Sequence, residues 1–396
     1  MAAKKQHFSS IQRFHSTWTT NKEKVSKEMV KAGSDNLFPQ YLIELYNKSS
    51  IHAAAVNAIT ETVIGGGLTA NEESFIDKAN KIGETWNDIF SKVSLDFYLH
   101  GSFALEVIWS LDRSRIAEVY HIDFSTIRAR EKNHRGHIPG YYIADEWKPF
   151  SRVDNEDIVY LPAFNENTKQ DEPSQIFVVR NYRPGQMYYP LPLYNGALKV
   201  IELDTEIDTF HVNNIKNGLA PSLAITTFMN GTDDDVSTVE AMLRANYGGS
   251  ENAGSLMYID VDSPENAPKI EPIPQNGADN YYVTINDMTV QKILTAHRIT
   301  SPMLLGIKTE GQLGGRDEMI DAMQLFQHNV IQPIQQDILK QLEVVMSINY
   351  PEIVLGVETT TLFEDGTTEE EVVTSVETTD AEDTAIQIED TSAPLL

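Results

Sequence analysis

The chain has no cysteine among its 396 residues. That excludes disulfides and thiolate metal ligands, and it suits a reducing compartment such as the cytoplasm. No apolar run approaches the 18 or more residues of a membrane-spanning helix, and no N-terminal apolar stretch reads as a signal peptide. Positive charge is scarce: 31 Lys and Arg stand against 58 Asp and Glu, a formal net charge of −27. Tight non-specific DNA binding needs a basic surface that releases counterions. Most of this surface would instead repel nucleic acid, although acidity for solubility accounts for the same number equally well.

Catalytic signatures are also missing. There is no HExxH, no GxSxG, no GxxxxGKS/T and no GxGxxG after a strand. The ten histidines are scattered, and His134 and His137 flank a turn at Gly136 with no acidic residue spaced to complete a metal set. Gly65-Gly66-Gly67 reads as a helix terminator, since no Lys-Ser/Thr follows it. Asp233-Asp234-Asp235 reads as the acidic first turn of a helix. Ser102 and Ser125 lack a local base. The expectation is a protein that is not an enzyme and holds no metal or cofactor.

What is present is unevenly distributed. Residues 1–32 carry seven Lys/Arg against Glu23 and Glu28, whereas residues 352–396 carry thirteen Asp/Glu and no basic residue. The first segment reads as a loosely ordered basic arm, and the last as a Thr/Glu-rich tail too poor in apolar residues to fold alone. Between them, Leu42, Leu45, Ile51, Ala55, Ile59 and Val63 recur at helical spacing in two short helices parted near Asn47–Ser50. Glu72 to Leu99 reads as one long helix or two. A hairpin follows, with Asp112–Arg115 at its turn, and then short strands near 141–143, 157–161 and 177–179. Leu193–Asn217 reads as a long helix whose apolar face is interrupted by Asp204. LAITTF and SLMYIDV read as strands around a short helix, and Asn280–Arg298 is helical again. The fold class is α+β.

The most specific stretch is Ile293–Leu342. A helix stops at Ser301-Pro302, a Gly-rich loop follows, and then a long amphipathic helix with Pro333 in its interior. Its positions Met319, Ile320, Met323, Phe326, Val330, Ile334, Ile338, Leu342 and Val345 hold to one face across the proline, so a bent helix is expected.

Four blocks, read in order, resemble the portal proteins of tailed double-stranded DNA bacteriophages. They are DFYLHGSFALEVIWS with IAEVYHIDFSTIRAR; the helix Leu193–Asn217 running into NGLAPSLAITT; NYGGSENAGSLMYID; and AHRITSPMLLGI followed by the loop and RDEMIDAMQLFQHNVIQPIQQDILKQL. Such portals commonly show a Val-Pro-Pro, Leu-Leu-Gly run and a helix ending in Ile-x-Pro. Here Pro302 stands at the first proline, Met303 at the second, and Ile331-Gln332-Pro333 supplies the later motif. The resemblance covers about residues 36 to 348. The C-terminal part departs from it, because it does not match the large helical crown that many portals have.

The resemblance implies a portal-like protomer with an α/β wing, a two-helix stem, a small α/β clip, a tunnel loop and a long kinked helix. Its expected divisions are a basic arm (1–34), wing (35–192), first stem helix (193–217), clip (218–279), second stem helix (280–301), tunnel loop (302–315), kinked helix returning to the wing or crown (316–350) and acidic tail (351–396). It implies a dodecameric ring at one capsid vertex, a channel for genome packaging and ejection, and a place in the virion after assembly in the host cytoplasm. The implied partners are double-stranded DNA passing without sequence specificity, the terminase large subunit, a head–tail adaptor and the major capsid protein, with no membrane. On the loop, Lys308, Arg316 and Gln312 would make transient phosphate contacts, and Gly306, Gly311, Gly314 and Gly315 would give the backbone its freedom. Phe228, Met229, Met257 and Tyr258 would serve subunit packing or partner docking on the clip. Another structural virion protein, such as a head–tail connector or scaffold, would share the acidity but not the order of segments. An unrecognised enzyme is the remaining class.

Overall fold

The computed structural model describes residues 23, 25–26, 28–71, 78–148, 157–217, 221–227, 255–260, 278–299, 301–305 and 316–358, all within one compact unit, Met1–Thr359. The acidic tail beyond it, Thr360–Leu396, lies outside the described residues, as does the arm 1–22.

A two-stranded ribbon, β1 (Val25–Ser26) and β2 (Met29–Val30), leads into α1 (Phe38–Lys48) and α2 (Ser50–Ile64). Pro39 sits in the first turn of α1, where its missing N–H has no intrahelical partner to lose. The break between α1 and α2 is a true cap, because the Ser49 side chain accepts from the His52 N–H at 3.2 Å. α2 ends at Gly65 with φ +55°, and a Cβ there would fall 2.6 Å from the Glu358 carbonyl oxygen. Glycine is required on both counts. β3 (Leu68–Ala70) follows and pairs antiparallel with the last described strand, β12 (Leu355–Val357).

Of the two readings of Glu72–Leu99, one long helix or two, the single long helix does not hold among the described residues. α3 runs Trp86–His100. Gly83 has φ +95°, and Thr85 with Asp88 forms a reciprocal capping box that fixes the helix start. Residues 78–85 are instead a turn pinned to the sheet: Val119 N–H donates to the Ala79 carbonyl at 3.0 Å, and Asn80 Nδ2 donates to the Val119 carbonyl at 3.0 Å. Residues 72–77 lie outside the described residues.

β4 (Ser102–Trp109) and β5 (Ile116–Ile122) form the expected hairpin, and β4 is the centre of an antiparallel sheet ordered β5-β4-β9, with β9 at Ser174–Arg180. β6 (Ile127–Ala129), β7 (Gly140–Ile143) and β8 (Val159–Pro162) make a second antiparallel sheet. A bridge between Met29 and Arg130 ties the N-terminal ribbon to it. Arg128, fully buried, nails this corner together. Its guanidinium donates to Asn36 Oδ1 and O, Gln40 Oε1, and the carbonyls of Ser125 and Ile127, and it lies 5.0 Å from the Trp147 ring centre. Burial lowers its pKa to about 10, so it stays charged at neutral pH, held by oxygen dipoles with no carboxylate beside it in hydrogen-bond range.

The next helix pair is longer. The segment expected as helix from Leu193 starts with a single 3-10 turn at Asn195–Ala197, and α4 then spans Leu198–Asn217. β10 (Pro221–Thr227) and β11 (Ser255–Asp260) pair in parallel, and α5 (Ala278–Ala296) follows. The short helix expected at Asp233–Tyr247 lies outside the described residues. α4 and α5 pack against each other, so the β10–β11 pair is an insertion between two adjacent helices. After a 3-10 turn at Pro302–Leu305 come α6 (Arg316–Phe326), a π-helical turn (Gln327–Ile331) and α7 (Gln332–Met346).

One apolar core joins the two halves of the chain. It includes Leu42 of α1, Ile59 of α2, Phe90 and Val93 of α3, Leu105 of β4, Ile201 of α4, Ile293 of α5, and Ile331, Ile338 and Leu342 of the last helices. Each buried aliphatic or aromatic side chain of this kind contributes about 1.5–3 kcal/mol.

Candidate channel segments and their anchorage

The stretch Ile293–Leu342 is anchored at both ends in that core. At its start, the end of α5 is held by a buried aromatic cluster. His297 Nε2 lies 2.9 Å from His52 Nδ1 of α2, and His297 Nδ1 lies 2.8 Å from the Tyr98 hydroxyl of α3. Tyr194, 4.6 Å from His52 ring to ring, donates its hydroxyl to the Leu99 carbonyl at 2.9 Å, one of the terminal carbonyls of α3. Burial drives the His52 pKa down to about 4, and burial followed by the neighbouring His52 drives His297 well below the ordinary histidine value. Both imidazoles are therefore neutral at pH 7, each able to give one N–H and accept at the other nitrogen. Among the described residues, His52 Nε2 is buried with no hydrogen-bond partner. Directly after the cluster, Arg298 adopts φ +60° and the chain leaves the helix axis. α5 itself ends at Ala296, two residues before the expected helix end at Arg298.

In the sequence His52 and His297 stand among scattered histidines. A signal was available: His52 stands three and four residues before Ala55 and Val56, on the same buried stripe that continues to Ile59 and Val63. The interruption of the α4 face by Asp204 has a similar explanation. Asp204 is buried and accepts from the Ser49 hydroxyl at 2.7 Å, so the α1–α2 cap and α4 share one hydrogen-bonded unit. Desolvation raises the Asp204 pKa.

At the far end of the stretch, the irregularity lies one turn before Pro333. The π-helical turn closes with the Gln332 N–H donating to the Gln327 carbonyl, five residues back. Pro333 then occupies the first turn of α7. A proline in a regular α-helix clashes with the carbonyl four residues earlier; here that residue is Asn329, inside the widened turn. The turn also serves the core. Phe326, Val330, Ile334, Ile338 and Leu342 repeat every four residues and are all buried. Four residues advance about 400° in an α-helix, an overshoot of about 40° per step. One π turn, holding more residues, rotates the stripe back and keeps it facing the core.

Of the expected loop residues, Gly306, Lys308, Gly311, Gln312, Gly314 and Gly315 lie outside the described residues, and Arg316 is the first residue of α6. Of the clip residues, Phe228 and Met229 lie outside them, while Met257 pairs with Ala224 and Tyr258 with Ile225 in the β10–β11 register. The turn with His134 and His137 is exposed, organised by Asn133 Oδ1 accepting from the Arg135 and His137 N–H groups.

Among the described residues, one group brings three potential metal-ligating side chains within 4.8 Å of one another: Asp96, His100 and Asp123. Their carboxylates already have structural work. Asp96 Oδ2 meets His121 Nε2 at 2.8 Å and accepts from the Phe124 N–H at 3.1 Å, and Asp123 caps the Ser125 N–H at 2.8 Å. This explains why Asp96 is tolerated on a buried helix face. It also shows why spacing alone missed the group, since its members come from α3 and from the corner after β5.

Among the described residues, no helix is long and apolar enough to cross a membrane. Comparison with known proteins identifies the family. The family model for phage portal proteins matches residues 75–354. A probable portal protein of Haemophilus phage HP1 (strain HP1c1) is 22% identical over 165 residues, 41% of this chain and 46% of the relative, so the match spans about half of that protein's length. Among solved structures, a chain from the virion of a native gene transfer agent particle superposes with a TM-score of 0.56 at 15% identity, covering 84% of this chain and 86% of the other. A chain from the neck of an empty particle of that agent, computed with C6 symmetry, gives 0.53 at 14% identity, covering 81% and 84%. At these identities the superpositions establish a shared fold, while the family model reaches from α3 through β10, β11, α5 and the π turn to the residues before β12. The chain belongs to the phage portal protein family.

Proposed function

We propose that this chain is the portal of a tailed-phage-like particle: a homo-oligomeric ring of about twelve copies at one vertex of the virion, through which DNA is packaged and ejected. The observation that carries the proposal is the inserted unit α4–β10/β11–α5. Two adjacent helices, fixed in the core at Ile201 and Ile293, carry a small parallel β pair between them, and the family match runs through the whole unit. In this reading residues 193–217 and 280–301 are the stem, 218–279 the clip, 302–315 the tunnel loop, 35–192 the wing and 316–350 the kinked helix that returns to it. The symmetric particle neck in which one structural neighbour sits supports the ring.

The charge fits a channel for a polyanion. A protomer of net −27 repels phosphate over most of its surface, so DNA slides instead of sticking. Lys308 and Arg316, with Gln312, would supply brief contacts from the loop. The clip, with Phe228, Met229, Met257 and Tyr258, would pack subunits together and present a docking face to the terminase large subunit and later to a head–tail adaptor. The wing would face the major capsid protein, and assembly would take place in the host cytoplasm. The portal family is structural, and no step here calls for a catalytic group.

Mass photometry of the purified full chain tests the ring. The expected species is a closed assembly of about twelve 44.5 kDa chains, with a central hole in negative stain. A stable monomer at every salt concentration would refute the proposal.

A further inference from the structure

A pocket of about 360 Å³ opens beside the end of β9, and Gln341 of α7 also reaches its wall. Lys132, Arg180 and Arg183 line it, with Gln186, Tyr182 and Tyr188. None of the three cations forms an ion pair among the described residues. In a chain of net −27, three basic side chains left without acidic partners around one cavity form a local site of opposite sign. Their donors are only partly used. Arg180 Nη1 donates to the Met187 carbonyl at 2.8 Å, and Lys132 Nζ lies 5.0 Å from the Tyr188 ring centre. Among the described residues, Arg183 Nε and Gln186 Oε1 are buried with no hydrogen-bond partner.

The same wall already binds one anion. The successive N–H groups of Met187, Tyr188 and Tyr189 converge on the Glu23 carboxylate, donating to Oε1 at 3.2, 2.7 and 3.0 Å, with Met187 also 3.1 Å from Oε2. Consecutive backbone N–H groups that converge in this way form an anion-binding nest. Glu23 fills the nest, and the cationic part of the pocket keeps unused donors. At its rim Tyr182 is 83% exposed, a flat aromatic face open to a stacking partner.

We propose that this pocket binds a nucleotide, its phosphate held by Lys132, Arg180 and Arg183 and its base stacked on Tyr182. A cavity of this size exceeds what a lone carboxylate or phosphate fills. Arg supplies the forked donors that match phosphate oxygens, and aromatic faces accept any base. The nucleotide is either free or one unit of a nucleic-acid strand. Glu23, a carboxylate on the same wall, opposes the phosphate charge and sets the affinity. The site does not depend on ring formation.

The test is calorimetric titration of the full chain with inorganic phosphate, with AMP and with a single-stranded thymidine oligomer, repeated on Arg183→Gln and Glu23→Gln. The wild type should bind AMP or the oligomer at one site per chain, more tightly than inorganic phosphate. Arg183→Gln should weaken binding roughly tenfold, the effect of losing one charge-assisted contact. Glu23→Gln should tighten it, which a merely damaged fold would not do. Binding of AMP identifies a free nucleotide, and binding of the oligomer alone identifies a strand. An absence of binding to all three probes, an affinity for nucleotide no higher than for phosphate, or an Arg183→Gln protein that binds as the wild type does would each overturn the proposal.

Discussion

Acid should loosen the anchorage of α5 through His52 and His297. Burial lowers the His52 pKa from 6.5 to about 4, while the unfolded chain keeps the ordinary value. Between those values the unfolded state binds more protons, so stability is full above pH 6.5 and falls as pH drops towards 4. At 1.36 kcal/mol per pH unit the total is about 3 kcal/mol, of which about 2 kcal/mol is lost by pH 5. Geometry gives the reason. The His52 imidazolium carries an N–H at both nitrogens, and Nε2 is buried with no acceptor among the described residues. His297 shifts the same way, and because its Nε2 lies 2.9 Å from His52 Nδ1 their protonations oppose one another. The perturbation is His52→Phe, which keeps an aromatic ring and removes the titrating group. At pH 7.5 the variant should be less stable by about 1–3 kcal/mol, since His297 Nε2 loses its partner. Its further loss on going to pH 5 should be about 2 kcal/mol smaller than that of the wild type. Urea unfolding of both proteins at the two pH values reads the difference. Equal acid losses would refute the argument, because the carboxylates that also titrate are common to both proteins.

Four further outcomes follow. Gly65→Ala should destabilise by more than about 1 kcal/mol in urea unfolding, because φ is +55° and the new Cβ would meet the Glu358 carbonyl. Arg128→Lys should cost at least about 2 kcal/mol, since one ammonium cannot reach the acceptors that the guanidinium fork serves; a near-neutral result would show that the corner does not need them. Ile338→Ala, at a fully buried position, should cost about 2–5 kcal/mol by the same measurement. Pro333→Ala should restore an N–H at the π turn and straighten the long helix; an unchanged helix path and ring geometry in the variant would remove Pro333 from the role of kink.

Much of this architecture could be read from the residues, and the misses have physical causes. The α1–α2 break, the β4–β5 hairpin, α4, α5 and the apolar stripe through Pro333 all follow from periodicity and local punctuation. Periodicity leaves Glu72–Leu99 open between one helix and two because 78–85 keeps apolar residues at helical spacing, while Gly83 and the Thr85–Asp88 box, which decide the boundary, are short-range signals outside that period. The π turn was hidden for a different reason. A run of apolar residues every four positions looks like an ordinary helix, and only the accumulated rotation requires a wider turn. Ser49, Asp204, His52 and His297 could not be joined in advance, since their hydrogen bonds span 155 and 245 residues of sequence. The Glu23 nest likewise depends on backbone N–H groups, which carry no residue signature.

In the proposed portal, copies of this chain surround a channel and residues 302–315 of each face the passing DNA. A cryo-electron microscopy reconstruction of the purified assembly measures this directly. The expected map shows a closed ring of about twelve subunits in which the segment between Ser301 and Arg316 lies at the smallest radius, with α4 and α5 running beside the channel towards the β10–β11 pair. A reconstruction in which that segment lies on the outer face of the ring, or in which no closed ring forms, would contradict it.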